Sequence, residues 1–295
     1  MTGFAGIRPI VHVPFDSDGA VDLGAIDALV ERMIGFGVDG LVVNGLASES
    51  WALTDAERDA ICAEVIAAAA GRTELTAGID GDTAVALQRG ARALELGAVS
   101  LMVRPPLGCD GQALARHYRE IAQGLGCDVL VQDTLPSRRG NLTVGQVLEL
   151  SSGPGLGWVK VDSPADAVAI AELTAAGRKV VAGWGGMHYL DAYDAGARGC
   201  LPGADLAPAL VQIQRCLNAG DRPGAAELYQ AILPLLSFQA ESLTRLITGA
   251  KLALTRSGVF SSPQLRAADE TLPLADYQVF QELFEQLAYE GVAGW

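Results

Sequence analysis

This chain has little charge and almost no lysine. Only 19% of its 295 residues are Asp, Glu, Lys or Arg, below the usual quarter. Lysine occurs three times, at 160, 179 and 251. Against 35 acidic residues stand 21 basic ones, a net charge of −14. That balance argues against nucleic acid and against an anionic membrane as partners. A small anionic substrate remains allowed, because a pocket can be locally positive on an acidic protein. Histidine is also sparse: His12, His117 and His188 lie far apart and fit no zinc spacing. The five cysteines, at 62, 109, 127, 200 and 216, form no C-x-x-C pair. Such a scattered, odd set fits reduced thiols and a cytoplasmic setting. No apolar run reaches the length of a bilayer span. The opening M-T-G-F-A-G-I-R-P-I shows no basic region followed by an apolar one, so no signal peptide is expected. What is abundant is apolar: half the residues are hydrophobic. A large core follows, with apolar surface left over for burial between subunits of a homo-oligomer.

Short β-type runs alternate with alanine-rich helical runs. The candidate strands are 10–15, 40–45, 74–79, 100–105, 127–133, 157–162, 179–184 and 199–203. Helical patterns fall between them, near 21–37, 54–71, 83–97, 111–125, 143–152, 163–176, 187–196 and 204–219. The second opens on Thr54 and Glu57, a T-x-x-E capping box. Eight βα units in roughly 220 residues predict a (β/α)8 barrel. The rival doubly wound sheet wants G-x-G-x-x-G after an early strand, which is absent. Three further helices are expected near 222–238, 240–257 and 275–291. The chain therefore divides into a barrel over 1–220 and a helical extension over 221–295, packed on it with no low-complexity linker.

In the run G-W-V-K-V-D-S-P (157–164) a lysine sits in the middle of an apolar strand. Alternation puts Trp158, Lys160 and Asp162 on one face and the two valines on the other. The valines suit the helix layer, so Lys160 points into the barrel near its upper rim, where barrel active sites lie. Desolvation favours a neutral amine, and a neutral amine condenses with a carbonyl to give a Schiff base. The alternative is a structural lysine paired with Asp162 or Asp133. Lys179 opens strand seven at the bottom of the barrel, and Lys251 falls on a helix of the extension.

These residues resemble the dihydrodipicolinate synthase / N-acetylneuraminate lyase family over nearly the full length. P-F-D-S-D-G-A-V-D (14–22) is similar to that family's opening. N-G-L-A-S-E-S (44–50) resembles its G-T-T-G-E-S loop, with Gly45, Glu49 and Ser50 kept. L-P-S-R-R-G (135–140) resembles V-P-S-R-T-G, and W-V-K-V-D resembles the I-K-E strand. The resemblance implies a (β/α)8 barrel with a C-terminal helical domain, tetramers built from dimers, and an imine between Lys160 and pyruvate or another 2-oxo acid. It implies no cofactor and no metal.

The chain departs from the pattern in the proton relay. Leu46 and Ala47 replace the two hydroxyl residues of the loop, and Ser48 its inner glycine. Asp133 stands where a tyrosine is expected, and so does Leu107. These losses argue against lysine biosynthesis. Backbone N–H groups of Leu46, Ala47 and Ser48 remain to hold a carboxylate. Val129, Val131 and Asp133 are expected to face inward with Lys160, so Asp133 becomes a candidate proton carrier. Loss or gain of water at C3 of a 2-keto-3-deoxy sugar acid needs such a group, and Q-D-T-L-P (132–136) is similar to a branch with dehydratases. A loop-fixing ion pair with Arg138 or Lys160 is the other reading of Asp133. Arg138 matches an arginine that binds a distal carboxylate in the family; a surface turn is its alternative. Arg104 is a second anion candidate. Gly183, in the G-W-G-G run at the top of strand seven, and Leu201, in strand eight, are placed beside the substrate. Glu49 is expected to order its loop, and His12 to be a core histidine.

The expected activity is thus a lyase, aldolase or dehydratase, acting on a 2-oxo acid through Lys160. A degenerate barrel that binds such an acid without turnover is the rival. A weaker one is a phosphate-binding barrel enzyme with its anion at residues 185 and 203.

Overall fold

The computed structural model describes residues 3–106, 108–109, 111–133, 142–162, 167–266 and 271–289. Among them, eight parallel strands alternate with helices. The strands are β1 Gly6–Ile7, β2 Gly40–Val43, β3 Glu74–Ile79, β4 Ser100–Val103, β5 Asp128–Gln132, β6 Trp158–Val161, β7 Lys179–Ala182 and β8 Gly199–Cys200. They pair in the order β1-β8-β7-β6-β5-β4-β3-β2. Ile10 bridges Val42 on one side and Gly203 on the other, which joins the two ends of the sheet. The Ile10 N–H donates to Pro202 O at 2.8 Å and the Val11 N–H to Val42 O at 2.8 Å. The architecture is a (β/α)8 barrel.

Strand one differs from the sequence expectation of 10–15. The ladder with β8 lies at Gly6–Ile7, and 10–15 contributes bridges rather than a strand. Pro9 and Pro14 have no N–H to donate, so a continuous ladder cannot run through them. Of the other seven strands β3 spans the whole of its expected run, and the rest fall within theirs, shortened.

The barrel helices are α1 Leu23–Phe36, α2 Asp55–Ala69, α3 Thr83–Leu96, α4 Gly111–Leu125, α5 Val144–Leu150, α6 Ala167–Ala175, α7 Tyr189–Asp194 and α8 Ala207–Asn218. Helix α2 starts on the expected capping box. The Glu57 N–H donates to Thr54 Oγ1 at 3.2 Å, and the Thr54 N–H to Glu57 Oε2 at 2.8 Å. Thr143 and Gln146 make a second one at α5. Outward strand residues such as Val43, Val103, Val131 and Val159 join the helices in one core. Inward residues form another: Val42, Met102, Leu130, Trp158, Val181 and Leu201. Phe4 closes its lower end, edge-on to Trp158 with ring centroids 5.6 Å apart.

Helices α9 Arg222–Gln239, α10 Leu243–Arg256 and α11 Leu274–Tyr289 follow. Ile247 of α10 belongs to the inner barrel cluster, so α10 lies across the barrel mouth. No helix among the described residues is long and apolar enough to cross a membrane.

Candidate active site

Lys160 faces the barrel interior, as its alternation with Val159 and Val161 requires. It is 4% exposed. Its Nζ donates to Asp162 Oδ1 at 2.5 Å. Asp162 stands just beyond β6 and is held from three sides. Gln132 Nε2 donates to its Oδ2 at 2.6 Å, and the Trp184 N–H donates to its Oδ1 at 3.2 Å. Its own N–H donates to Asp133 Oδ1 at 2.8 Å. The carboxylate fits there because residue 183 is glycine: a Cβ on Gly183 would fall 1.9 Å from Asp162 Oδ1. Gly183 therefore acts on the site through Asp162 and does not itself line the cleft described below.

The face expected for Asp133 needs correction. Across β5 and β6 the partner of Lys160 is Gln132, two residues above the pair Leu130 and Trp158. Leu130 belongs to the inner core, whereas Val129 and Val131 belong to the outer one. Period-two alternation then gives the inward place to Gln132. Asp133 follows the strand, is 3% exposed, and fixes the backbone of Asp162. Its charge is also felt by Tyr118 of the helix layer, where burial foremost, and Asp133 next, push the phenol up.

Above Lys160 opens a cleft of about 540 Å³, continuous with solvent. Four loops and a helix pair build it. Leu46 and Ala47 come from the 3-10 turn after β2, and Trp184 and Gly185 from the turn after β7. Leu201, Pro202 and Gly203 follow β8, and Ile10 lies beside them. Gln239, Ala240, Ser242, Leu243 and Leu246 come from the α9–α10 junction. Ser48 is turned away: its hydroxyl donates to Val11 O at 2.6 Å and its N–H to Gly45 O at 3.1 Å. Arg104 is committed elsewhere, with Nη2 2.9 Å from Asp80 Oδ2. Arg138 and Leu107 lie outside the described residues.

The second buried lysine has a different job. Lys251 is fully buried. Its Nζ donates to Glu49 Oε1 at 2.5 Å and to Gln264 O at 2.8 Å, over the ring of Phe15. Burial pulls its amine down to about 8, against the charge of Glu49. Glu49 Oε2 also accepts the Arg266 N–H at 2.8 Å. The Glu49 backbone is left-handed, with φ 53°. The carboxylate thus ties the 46–48 turn to α10, and Lys251 is absent from the cleft lining. His12 is buried beside this pair; burial first, then the charge of Lys251, pushes its imidazole down to about 3.

Sequence reasoning anticipated Lys160, the 46–47 turn and Leu201 in the cleft. It treated Asp162 only as a pairing partner and missed Gln132, Trp184 and the α9–α10 residues. The spacing of Leu243, Leu246 and Ile247 shows one apolar helix face, but nothing in it says that the face meets the barrel mouth. Among the described residues no cluster of three or more His, Cys, Asp or Glu is placed to hold a metal.

The comparisons with known proteins agree with this architecture. The model of the dihydrodipicolinate synthetase family matches residues 3–286. The 4-hydroxy-tetrahydrodipicolinate synthase 1 of Streptomyces coelicolor is 33% identical over 277 residues, 87% of this chain and 86% of that protein. The L-2-keto-3-deoxyarabonate dehydratase of Azospirillum brasilense is 28% identical over 272 residues, 88% of this chain and 87% of that one. A putative dihydrodipicolinate synthetase structure from Pseudomonas aeruginosa superposes with a TM-score of 0.88 at 25% identity, covering 97% of this chain and 100% of its own. The N-acetylneuraminate lyase of Fusobacterium nucleatum shares the fold, with a TM-score of 0.83 at 18% identity over 96% and 98% of the two chains.

Proposed function

The chain belongs to the dihydrodipicolinate synthetase family and is an enzyme of the lyase type, and we propose that it works through a Schiff base between Lys160 and pyruvate or a related 2-oxo acid. One observation carries the reading: the Lys160 amine lies beside a solvent-connected cleft with a carboxylate 2.5 Å away. Burial without open space would have made it structural. Here Asp162 can take a proton from the ammonium, leaving a lone pair to attack C2 of the 2-oxo acid. The carbinolamine then loses water to give the iminium. That cation draws electrons from C3. Either the C3–C4 bond breaks as the C4 hydroxyl gives up its proton, or C3 loses a proton and the C4 hydroxyl leaves as water. The enamine of the first route is protonated at C3, and in either route water then adds at C2 and returns the product ketone and the free amine.

Asp162, which lines the cleft, serves as the proton carrier in this scheme. Asp133 acts at one remove, through the Asp162 backbone. The substrate carboxylate is held by the N–H groups of Leu46 and Ala47, since the Ser48 N–H is already engaged. Arg138 meets a distal anion where the substrate has one. Five free thiols and a half-apolar composition support a homo-oligomer in the cytoplasm, a dimer or tetramer.

Borohydride in the presence of pyruvate should leave a reduced adduct on the peptide carrying Lys160. An adduct confined to another lysine, or no adduct, refutes the imine. Binding without turnover is the second reading, favoured by Leu46 and Ala47 where the family has hydroxyls. A panel of keto-deoxy acids, read as pyruvate release against dehydrated product, separates the two.

A further inference from the structure

The lining of the Lys160 cleft divides by chemistry along its depth. The polar groups at its base are Lys160 and Asp162. Around the rest stand Ile10, Leu46, Leu201, Trp184, Leu243 and Leu246. Two polar side chains, Ser242 and Gln239, also line it, and both have partners. Ser242 Oγ accepts the Arg245 N–H at 3.1 Å as the cap of α10, and Gln239 Nε2 donates to Asp205 at 2.7 Å. Trp184 stands at the rim, 36% exposed, its backbone fixed by the bond to Asp162.

We propose that the site selects a 2-oxo acid whose arm beyond C4 is apolar, branched-aliphatic or aromatic, over a polyhydroxylated one. This inference rests on the Schiff-base reading for the position of the oxo-acid end. Among the described residues, this lining leaves few hydrogen-bonding side chains free. A hydroxyl pressed against Leu243 or Leu201 loses its water and gains no partner, which weakens binding about tenfold for each such group. An apolar arm gains by the area it takes from water, and one methylene group is worth about tenfold. A flat aromatic arm has Trp184 to stack on. Asp133, which gave the sequence its sugar-acid reading, is not among the residues of this cleft.

The test uses the full chain and four acids: pyruvate, 4-methyl-2-oxopentanoate, phenylpyruvate and a 2-keto-3-deoxypentonate. Two readouts run side by side. Calorimetry on the unreduced protein gives the affinity order. Borohydride with peptide mass gives the half-saturating concentration for adduct on Lys160. The inference expects the two apolar acids to bind at least tenfold tighter than the deoxypentonate, and Leu246→Asn to narrow that ratio about tenfold. A deoxypentonate that binds as well as, or better than, the apolar acids overturns it. Adduct formation with that inverted order leaves the imine standing and sinks only the arm preference. The expected order without any adduct sinks the imine and leaves the preference. Failure of all four acids to bind overturns both.

Discussion

Gln132 and Lys160 are register partners across β5 and β6, and both donate to one carboxylate, that of Asp162, at 2.6 and 2.5 Å. An amide and an ammonium hold the two oxygens apart and leave Asp162 at the cleft edge. Asp162→Asn keeps the volume and removes the proton acceptor. Turnover should fall by about 10²–10⁴-fold, the range for loss of a general acid–base. Borohydride trapping should also slow at neutral pH, because the ammonium loses its nearest proton acceptor. Unchanged rates of both would remove Asp162 from the mechanism.

Asp133 gives a sharper contrast, because its carboxylate accepts the Asp162 N–H at 2.8 Å and so holds the backbone of the proton carrier. Asparagine can still accept that bond through its amide oxygen; alanine cannot. Asp133→Asn should keep kcat within about threefold of the parent, whereas Asp133→Ala should cost about 1–3 kcal/mol of stability by leaving a buried donor unmet. If Asp133 itself carried the proton, the asparagine variant would fail as badly as the alanine one. Steady-state kinetics beside urea unfolding of both variants decides the matter.

The two buried lysines should separate cleanly. Lys160→Met should abolish the reducible adduct. Lys251→Met should keep it and instead leave Glu49 charged and buried, at a cost of about 3–5 kcal/mol. Urea unfolding reads the cost and peptide mass reads the adduct. Adduct lost in the Lys251 variant, with its fold intact by circular dichroism, would reassign the nucleophile.

The fold was legible in the sequence wherever a local rule sufficed. Val159 and Val161 flanking Lys160 set its direction, and Thr54 with Glu57 set the start of α2. What escaped was set by contacts between distant segments. Its match to the family's tyrosine gave Asp133, with Val129 and Val131, the inward place, yet pairing with β6 gives it to Gln132, because the register belongs to the ladder and not to the loop after it. Leu243 and Leu246 reach the cleft only because α10 docks over the barrel mouth. Strand one moved because Pro9 and Pro14 matter to a ladder only once its partners are known.

Two buried groups near α10 make stability depend on pH in opposite senses. Burial pushes His12 down from 6.5 to about 3, so between those values the unfolded chain binds the extra proton and stability falls with pH. Burial pushes Asp205 up from 3.8 to about 6, against the pull of the Gln239 amide. Between those values the folded chain binds the extra proton, and stability rises as pH falls. Each slope is about 1.4 kcal/mol per pH unit. The two nearly cancel between pH 3.8 and 6, and below 3.8 His12 acts alone until about 3. His12→Leu should therefore gain stability relative to the parent as pH falls from 6.5. Asp205→Asn, which still accepts from Gln239, should lose relative to the parent as pH falls from 6. Urea unfolding of the three proteins between pH 4 and 7 shows both slopes as differences, free of the carboxylates they share. Parallel curves for all three would mean that neither group keeps its buried, uncharged state in solution.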